Sequence, residues 1–331
     1  MTYHDEPDDL DEQEFYEAKF GRTQRGQKVS RRGKQPAPRD AKQVAKLTED
    51  AVAEAPFATT YQPSRFEAGW LRDSLRSFYD ERLISDVLAS VKGGKEASVY
   101  CCRAELQTGQ ELLAAKVYRP RQFRNLRNDK IYRDGRTVLT ADGKAAKNSD
   151  ERLMRALGKK TSFGQQVSHT SWLMHEFSTL DALHRLGAAV PKPYAANDNA
   201  LLMTYCGVEG AAAPTLSGVR LDRAEAELLF AEVLRNIELM LTQGMVHGDL
   251  SAYNILYWEG AITLIDFPQV THIASNPHAQ TILVRDVTRV CEYFIGQGVR
   301  ARPQQIAAEL WERFATIDPD DALADASREP S

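Results

Sequence analysis

Three polar residues in the second half of the chain constrain the fold most. The segment His247-Gly-Asp-Leu-Ser-Ala-Tyr-Asn254 places Asp249 shortly before Asn254, and Asp266 ends an apolar run further along. The short apolar runs beside them predict strands and loops that would bring the three side chains together. Any one such aspartate is usually a turn former or a helix cap. At this spacing, however, two hard oxygen ligands for Mg²⁺ and one carboxylate to orient a hydroxyl predict phosphoryl transfer.

The first half of the chain contains matching candidates for phosphate binding. Gly93 and Gly94 occupy a predicted hairpin turn, where the backbone could approach a phosphate, although an ordinary turn has the same pattern. Lys116 stands in an apolar strand downstream of Gly94, and Glu176 follows later in a predicted helix. Alone, either residue would be assigned to a solvent-exposed face. Together they predict a lysine–glutamate ion pair that orients a nucleotide.

Hydrophobic periodicity predicts a mixed fold. Apolar residues at helical spacing over 64–88 predict one or two amphipathic helices, and two β-prone runs around Thr108-Gly109 predict an antiparallel hairpin. A short buried strand is expected at 201–205. The other predicted helices are 172–186, 221–242 with Leu228 and Leu229 both in the apolar register, 278–297 and 303–315.

The net charge of −4 conceals strong segregation of charge. Residues 1–20 carry eight acids and one base, residues 21–48 nine bases and one acid, and residues 119–160 thirteen bases and five acids. Residues 1–60 hold too little apolar surface to offset the entropy of ordering, so we expect them to be mostly disordered. The two basic segments are interpreted either as solvated chain or as a surface for RNA or another acidic partner.

Several protein classes are disfavoured. No run reaches the roughly 18 consecutive apolar residues of a membrane helix, and the acidic N-terminus lacks the pattern of a signal peptide. The four cysteines form no Cys-x-x-Cys pair, so neither a disulfide framework nor a zinc site is predicted. A reducing cytoplasm is the expected compartment.

These motifs resemble those of the RIO atypical protein kinases, closest to the RIO1 type, over roughly residues 80–300. The family's catalytic loop, H-x-D-L-S-x-Y-N, matches His247–Asn254, and its I-D-x-x-Q metal motif matches Ile265–Gln269. Its S-T-G-K-E-A glycine loop is matched by Gly94–Ala97. One departure is Gly248, where RIO1-type members usually have Ala. It favours a divergent branch of the family, such as a bacterial one.

The resemblance implies a role for each matched residue. Asp249 would be the catalytic base, while Asn254 and Asp266 would bind Mg²⁺, with Mn²⁺ as a substitute. Asp266 would also be a catalytic residue if a phosphoaspartate forms there. Lys116, held by Glu176, would bind the α- and β-phosphates of ATP. The other implied ATP contacts are Gly94, Lys95, Glu96, Ala97, Ser98, Val99, and, at the hinge, Met203, Thr204 and Cys206.

The resemblance also implies an α+β, bilobal protein-kinase-like fold, with a small β-rich N-lobe and a reduced, mainly helical C-lobe. We expect a disordered extension over 1–62, the kinase domain over 63–316, and an acidic tail over 317–331. The N-lobe would cover about 63–204, with a basic flexible loop at 119–160, and the C-lobe about 207–316. The segment 267–331 contains no Ala-Pro-Glu and is too short for the docking helices of an ordinary protein kinase.

The predicted function is ATP- and Mg-dependent phosphorylation of Ser or Thr in proteins, including autophosphorylation. Two alternatives stay open. One is an ATPase switch bound to ribosomal particles or RNA through the basic segments 21–48 and 119–160. The other is a small-molecule phosphotransferase, because His-Gly-Asp also occurs in aminoglycoside and choline phosphotransferases. No membrane partner is expected.

Overall fold

The structure is a computed structural model that describes residue 57 and residues 59–94, 97–118 and 162–314. The acidic and basic segments within residues 1–48, the basic segment 119–160 and the tail 317–331 lie outside the described residues, so the expectations for them stay predictions. The proposed domain limits at 63 and 316 likewise stay predictions.

The described chain forms an α+β fold, as predicted. In chain order its strands and α-helices are α1 (Arg65–Asp80), β1 (Ile84–Gly93), β2 (Ala97–Ala104), β3 (Leu112–Tyr118), α2 (Ser162–Arg185), β4 (Pro193–Ala196), β5 (Ala200–Thr204), β6 (Gly207–Val208), β7 (Ala211–Ala212), α3 (Arg223–Thr242), β8 (Met245–Val246), β9 (Ile255–Trp258), β10 (Ala261–Leu264), β11 (Thr271–His272), α4 (Ala279–Gly296) and α5 (Pro303–Phe314). Short 3₁₀ turns occupy Leu106–Thr108, Leu216–Gly218 and Ala252–Asn254.

The N-lobe is an antiparallel sheet of five strands in the order β1-β2-β3-β5-β4. Strands β2 and β3 form the hairpin predicted around Gly109, which closes the turn in the left-handed conformation at φ 69°. Helix α1 buries Leu71, Leu75 and Phe78 against this sheet. The helix begins after Ser64, whose amide donates to Glu67 at 3.3 Å as in a capping box.

The region after α1 differs from the prediction of continued helix. Helix α1 ends at Asp80, and Ile84 and Val87 are buried residues of strand β1. Their three-residue spacing looks helical because β1 is irregular: its pairing with β2 shifts register between Ile84 and Asp86 and again between Val87 and Ala89. A bulge inserts one residue and converts the usual alternation by two into a step of three. The apolar spacing alone therefore could not separate the two structures.

Helix α2 starts at Ser162, earlier than the predicted Trp172. Its N-terminal half buries the polar residues His169, Thr170 and Ser171. Apolar periodicity misses a helical turn whose buried face is polar.

The C-lobe core is built mainly from α3, α4 and α5. Asp222 caps α3 by accepting from the Glu225 amide at 2.9 Å. Phe230 of α3 and Phe294 of α4 pack with ring centroids 5.1 Å apart. Among the described residues, no helix is both long enough and apolar enough to cross a bilayer.

Two neighbouring leucines on α3 have opposite environments, which the sequence prediction did not distinguish. Leu229 is 6% exposed in the core, whereas Leu228 is 74% exposed. One residue advances about 100° around a helix, which moves Leu228 off the buried stripe.

We expect Leu229→Ala to lower the free energy of unfolding by about 2–5 kcal/mol, because it removes buried apolar surface and leaves a cavity. Leu228→Ala is the matched control and should stay within about 0.5 kcal/mol of wild type. Urea denaturation of the full chain measures both. Equal losses for the two variants would contradict the burial difference.

Candidate active site

A buried lysine joins three parts of the domain. Lys116 of β3 places its Nζ 2.7 Å from Glu176 Oε1 on α2 and 2.7 Å from Asp266 Oδ1 in the loop after β10. The Lys116 side chain is 10% exposed and the Glu176 side chain 2%. The ion pair predicted between Lys116 and Glu176 is therefore present, and Asp266 extends it into a network of three charges.

The second oxygen of Glu176 is also engaged. The Tyr118 hydroxyl, two residues after Lys116 on the same face of β3, donates to Glu176 Oε2. Both carboxylate oxygens are thus held by neighbouring side chains of one strand. Sequence reasoning missed Tyr118, although its position two residues from Lys116 was the available signal.

Burial and charge act against each other in this network. Burial would lower the pKa of Lys116, but the carboxylates of Asp266 and Glu176 outweigh it and raise that pKa above its ordinary value. Burial raises the pKa of Glu176, with Lys116 opposing the change. For Asp266, burial would raise the pKa, but the adjacent Lys116 ammonium outweighs this effect and lowers it. Lys116 and Asp266 are therefore charged at neutral pH.

The β9–β10 hairpin brings Asn254 and Asp266 to the same end of the site. Leu264 pairs with Ile255 across the hairpin, and the Ile265 amide donates to the Asn254 carbonyl at 3.0 Å. Asp266 itself adopts φ 71°, which is uncommon for a residue with a side chain. An amide and a carboxylate oxygen thus stand on adjoining backbone, a donor set suited to Mg²⁺. No cluster of three or more His, Cys, Asp or Glu that could bind a metal occurs in the described ranges.

Asp249 lies on the segment His247–Asn254, which the resemblance predicts to be the catalytic loop, and its side chain contacts helix α4. Its Oδ1 accepts from Arg289 Nη1 at 2.9 Å, and its Oδ2 lies 3.3 Å from Asn254 Nδ2. The same Asn254 nitrogen donates to the Asp249 carbonyl at 2.8 Å. Asn254 therefore fixes the backbone and the side chain of Asp249 together, while the Asp249 side chain keeps 40% exposure.

Two adjacent residues of helix α4, Arg285 and Asp286, hold the backbone of this loop. The Gly248 amide donates to Asp286 Oδ2 at 2.8 Å, and the Gly248 carbonyl accepts from Arg285. Asp286 is only 1% exposed, and burial raises the pKa of its carboxyl. Arg285 and Asp286 thus hold both backbone polar groups of Gly248.

Gly248, the departure from the family pattern, is required by its surroundings. Its φ is +88°, and a Cβ at this position would lie 2.2 Å from the Gln269 carbonyl oxygen. Any side chain would therefore force apart the catalytic loop and the segment after Asp266. The strands β8 and β11, which pair Val246 with Thr271, join the same two segments.

A cavity of about 590 Å³ lies between the sheet and the C-lobe. Its walls include Val91, Val99 and Ala114 from the sheet and Leu256 and Ile265 from the β9–β10 region. The Lys116 network stands at its polar end. Cavities of this size with a few convergent polar groups are typical of small-molecule sites.

Most of the predicted nucleotide contacts line this one cavity. The predicted residues brought together there are Gly94, Ala97, Val99, Lys116, Glu176, Met203, Thr204, Cys206, Asn254 and Asp266. Ser98 is not among the lining residues. It is 5% exposed and alternates with Ala97 and Val99 along β2, so its side chain faces away from them. Lys95 and Glu96 lie outside the described residues, and Asp249 lies beyond the cavity lining.

The β-rich N-lobe, the helical C-lobe and the polar network between them define a protein-kinase-like domain. The RIO domain family model matches residues 103–306, more than half of the chain, and the chain belongs to this family. The origin of the chain in a bacterium stays a prediction.

Relatives from archaea and eukaryotes share this region. The chain is 32% identical over 213 residues to the RIO-type serine/threonine-protein kinase Rio1 of Haloferax volcanii, covering 64% of each chain. It is 30% identical to the protein of the same name from Methanocaldococcus jannaschii, covering 65% of this chain and 69% of that one. It is 26% identical to the human serine/threonine-protein kinase RIO1, covering 66% of this chain but 34% of the human protein. Membership of a kinase family implies, in general, the use of ATP and a divalent metal.

His247 generates a prediction about pH. It is 2% exposed and packs 4.8 Å from the Phe267 ring, centroid to centroid. Its Nδ1 lies 3.3 Å from the Asp249 amide and its Nε2 3.2 Å from the Ile265 carbonyl oxygen, a pattern that assigns the proton to Nε2 of a neutral ring. Burial lowers the pKa of His247 below its ordinary value of 6.5.

Just below pH 6.5, His247 therefore binds a proton more readily in the unfolded chain than in the folded chain. We expect this residue to make the free energy of unfolding fall as the pH drops below about 6.5, by up to about 1.4 kcal/mol per pH unit. Urea denaturation of wild type and His247→Gln at several pH values measures the difference, since the variant lacks this contribution. An identical pH slope in the two proteins would contradict it.

Proposed function

We propose that this chain is an ATP- and Mg-dependent serine/threonine protein kinase of RIO type that also phosphorylates itself. The observation that carries the proposal is the network in which Lys116 bridges Glu176 and Asp266 at the polar end of a nucleotide-sized cavity. Membership of the RIO family supports the same activity. The matched relatives are named as serine/threonine kinases, although the match covers only part of their length.

The residues present fit a nucleotide and a metal ion. Val99, Ala114 and Leu256 offer apolar surface for a planar base, and Lys116 offers a cation for phosphates. Asn254 and Asp266 would hold Mg²⁺, or Mn²⁺ in its place, with hard oxygen donors. The bound ion would offset the negative charge of the phosphates during transfer.

Each protein group then has a defined task. Lys116, oriented by Glu176, binds phosphate oxygens. Asp249, exposed and held by Asn254, accepts the proton of the acceptor hydroxyl as the new P–O bond forms and the bond to the leaving diphosphate breaks. Positioning and charge stabilisation supply most of the acceleration in such a site. The hinge residues Thr204 and Cys206 contact the base edge.

The first test is transfer from γ-labelled ATP to a generic protein substrate and to the chain itself. We expect Asp249→Asn to lower the transfer rate about 100- to 10,000-fold, because the general base is lost while shape is kept. Asp181→Asn is the matched control, because Asp181 lies on α2 and pairs with Arg185 at 2.8 Å, away from the cavity. Unchanged transfer by Asp249→Asn would refute the assigned mechanism.

The chemical stability of the label separates two outcomes in the wild-type protein. Label that resists both acid and neutral hydroxylamine is a phosphate ester of a hydroxyl side chain, and analysis of the released phosphoamino acids distinguishes Ser and Thr from Tyr. Label that hydroxylamine releases, and that is absent from Asp266→Asn, is an acyl phosphate on Asp266. Phosphate recovered on amino-sugar or alcohol acceptors instead of protein would favour the small-molecule alternative.

Metal dependence is a separate prediction. A chelator should stop transfer, and Mg²⁺ or Mn²⁺ should restore it. We expect Asn254→Ala to raise the Mg²⁺ concentration needed for half-maximal rate by at least about tenfold, since a metal ligand and the support of Asp249 are lost together. A metal titration of the transfer rate measures this. Full activity in the chelator would contradict the assignment.

The proposal extends to compartment and partners. The four cysteines are free thiols, which suits a reducing cytoplasm. The excess of basic residues in segments 21–48 and 119–160 suits an RNA or ribosomal partner, for which an ATPase cycle would serve as a switch. Co-sedimentation with ribosomal particles that survives roughly 200 mM salt tests this part, and its failure leaves the kinase proposal standing.

A further inference from the structure

Two arginines one turn apart on helix α4 reach the catalytic loop, but they are used differently. Arg285 donates to the Gly248 carbonyl and pairs with Asp286 at 2.9 Å, which occupies it in the scaffold. Arg289 contacts Asp249 Oδ1 through Nη1 at 2.9 Å. The Arg289 side chain is 43% exposed, and the Asp249 side chain 40%. Arg289 therefore stands at the solvent-facing side of the catalytic carboxylate.

Arg289 has donors to spare. A guanidinium carries five N–H donors in a planar fork, and this fork suits carboxylate and phosphate groups. Within the described ranges, the contact of Arg289 with Asp249 uses one of its nitrogens. Because 43% of the Arg289 side chain is exposed, it is accessible to an incoming acceptor.

The Asp249 carboxylate can accept a hydrogen bond from Arg289 and another from an acceptor hydroxyl at the same time. Each carboxylate oxygen has two lone-pair sites. Arg289 takes one site on Oδ1 and Asn254 one on Oδ2. A hydroxyl bound at the second site of Oδ1 would lie within about 6 Å of the Arg289 nitrogen, since two hydrogen bonds of about 3 Å join them.

We propose that Arg289 is a specificity-determining residue that binds an anionic group of the acceptor beside the hydroxyl to be phosphorylated. An extended chain advances about 3.3–3.6 Å per residue, so the anion would belong to the first or second neighbour of the acceptor residue. The chemistry recognised is a carboxylate or a phosphate on a peptide. This inference rests on the kinase activity proposed above.

The test measures kcat and KM for peptides that differ only beside one serine. The neighbouring positions carry Ala, Glu, phosphoserine or Lys, and the full chain is assayed as wild type, Arg289→Ala, Arg289→Lys and Arg289→Glu. Arg223→Ala is the matched control, because Arg223 is likewise an exposed helical arginine, paired with Glu227 at 2.8 Å. The phosphoserine and Glu peptides separate the two sources of the anion.

We expect wild type and Arg223→Ala to prefer the Glu or phosphoserine peptide over the Ala peptide by about tenfold in kcat/KM, which corresponds to about 1.4 kcal/mol. The preference should lie mainly in KM, disappear in Arg289→Ala, weaken in Arg289→Lys because the fork is lost, and shift toward the Lys peptide in Arg289→Glu.

Three outcomes would overturn the inference. If Arg289→Ala slows all peptides equally and keeps the preference, Arg289 only positions Asp249. If wild type shows no preference for anionic peptides, Arg289 does not bind an anionic group of the acceptor. If wild type transfers phosphate to no peptide and not to itself, the proposed function fails and this inference fails with it.

Discussion

The Lys116 ammonium is a largely buried positive charge, and the carboxylates that compensate it come from separate parts of the domain. It takes one carboxylate from helix α2 and one from the loop after β10, so the sheet, the helix and the C-lobe meet at one atom. Removing the buried Glu176 carboxylate would leave a buried charge short of compensation, which typically costs about 3–5 kcal/mol.

The rest of the site divides into a buried support and an exposed edge. Asp286, His247 and Gly248 fix the backbone of the catalytic loop, and the side chains of Asp286 and His247 are buried. Asp249 and Arg289 stand on that support with about two fifths of each side chain open to solvent. Phosphoryl transfer to the hydroxyl of another molecule needs a rigid support beneath exposed polar side chains. The phosphate donor must be held in place while one acceptor molecule replaces another.

Several features could be predicted from sequence because they depend on local pattern. The β2–β3 hairpin, the strand carrying Lys116 and the α3 helix follow from turn residues and periodicity. The Lys116–Glu176 pair was predicted from the ion pair that phosphoryl-transfer sites use and not from local pattern, since the two residues lie far apart along the chain. Bulges in β1 imitated helical spacing, and a polar buried face hid the start of α2. Leu228 was misjudged because one step along a helix moves a side chain to another face.

The sequence by itself determined the chemistry of the site: the carboxylates, the amide and the lysine at spacings that predict phosphoryl transfer. The tertiary structure alone decided which of these groups meet. Tyr118 donates a hydrogen bond to Glu176, and Asp286 accepts one from the catalytic loop. Arg289 contacts Asp249 from a helix that begins well beyond the catalytic loop in sequence. Contacts of this kind depend on how helices and strands pack, and packing is set by the whole core rather than by neighbouring residues.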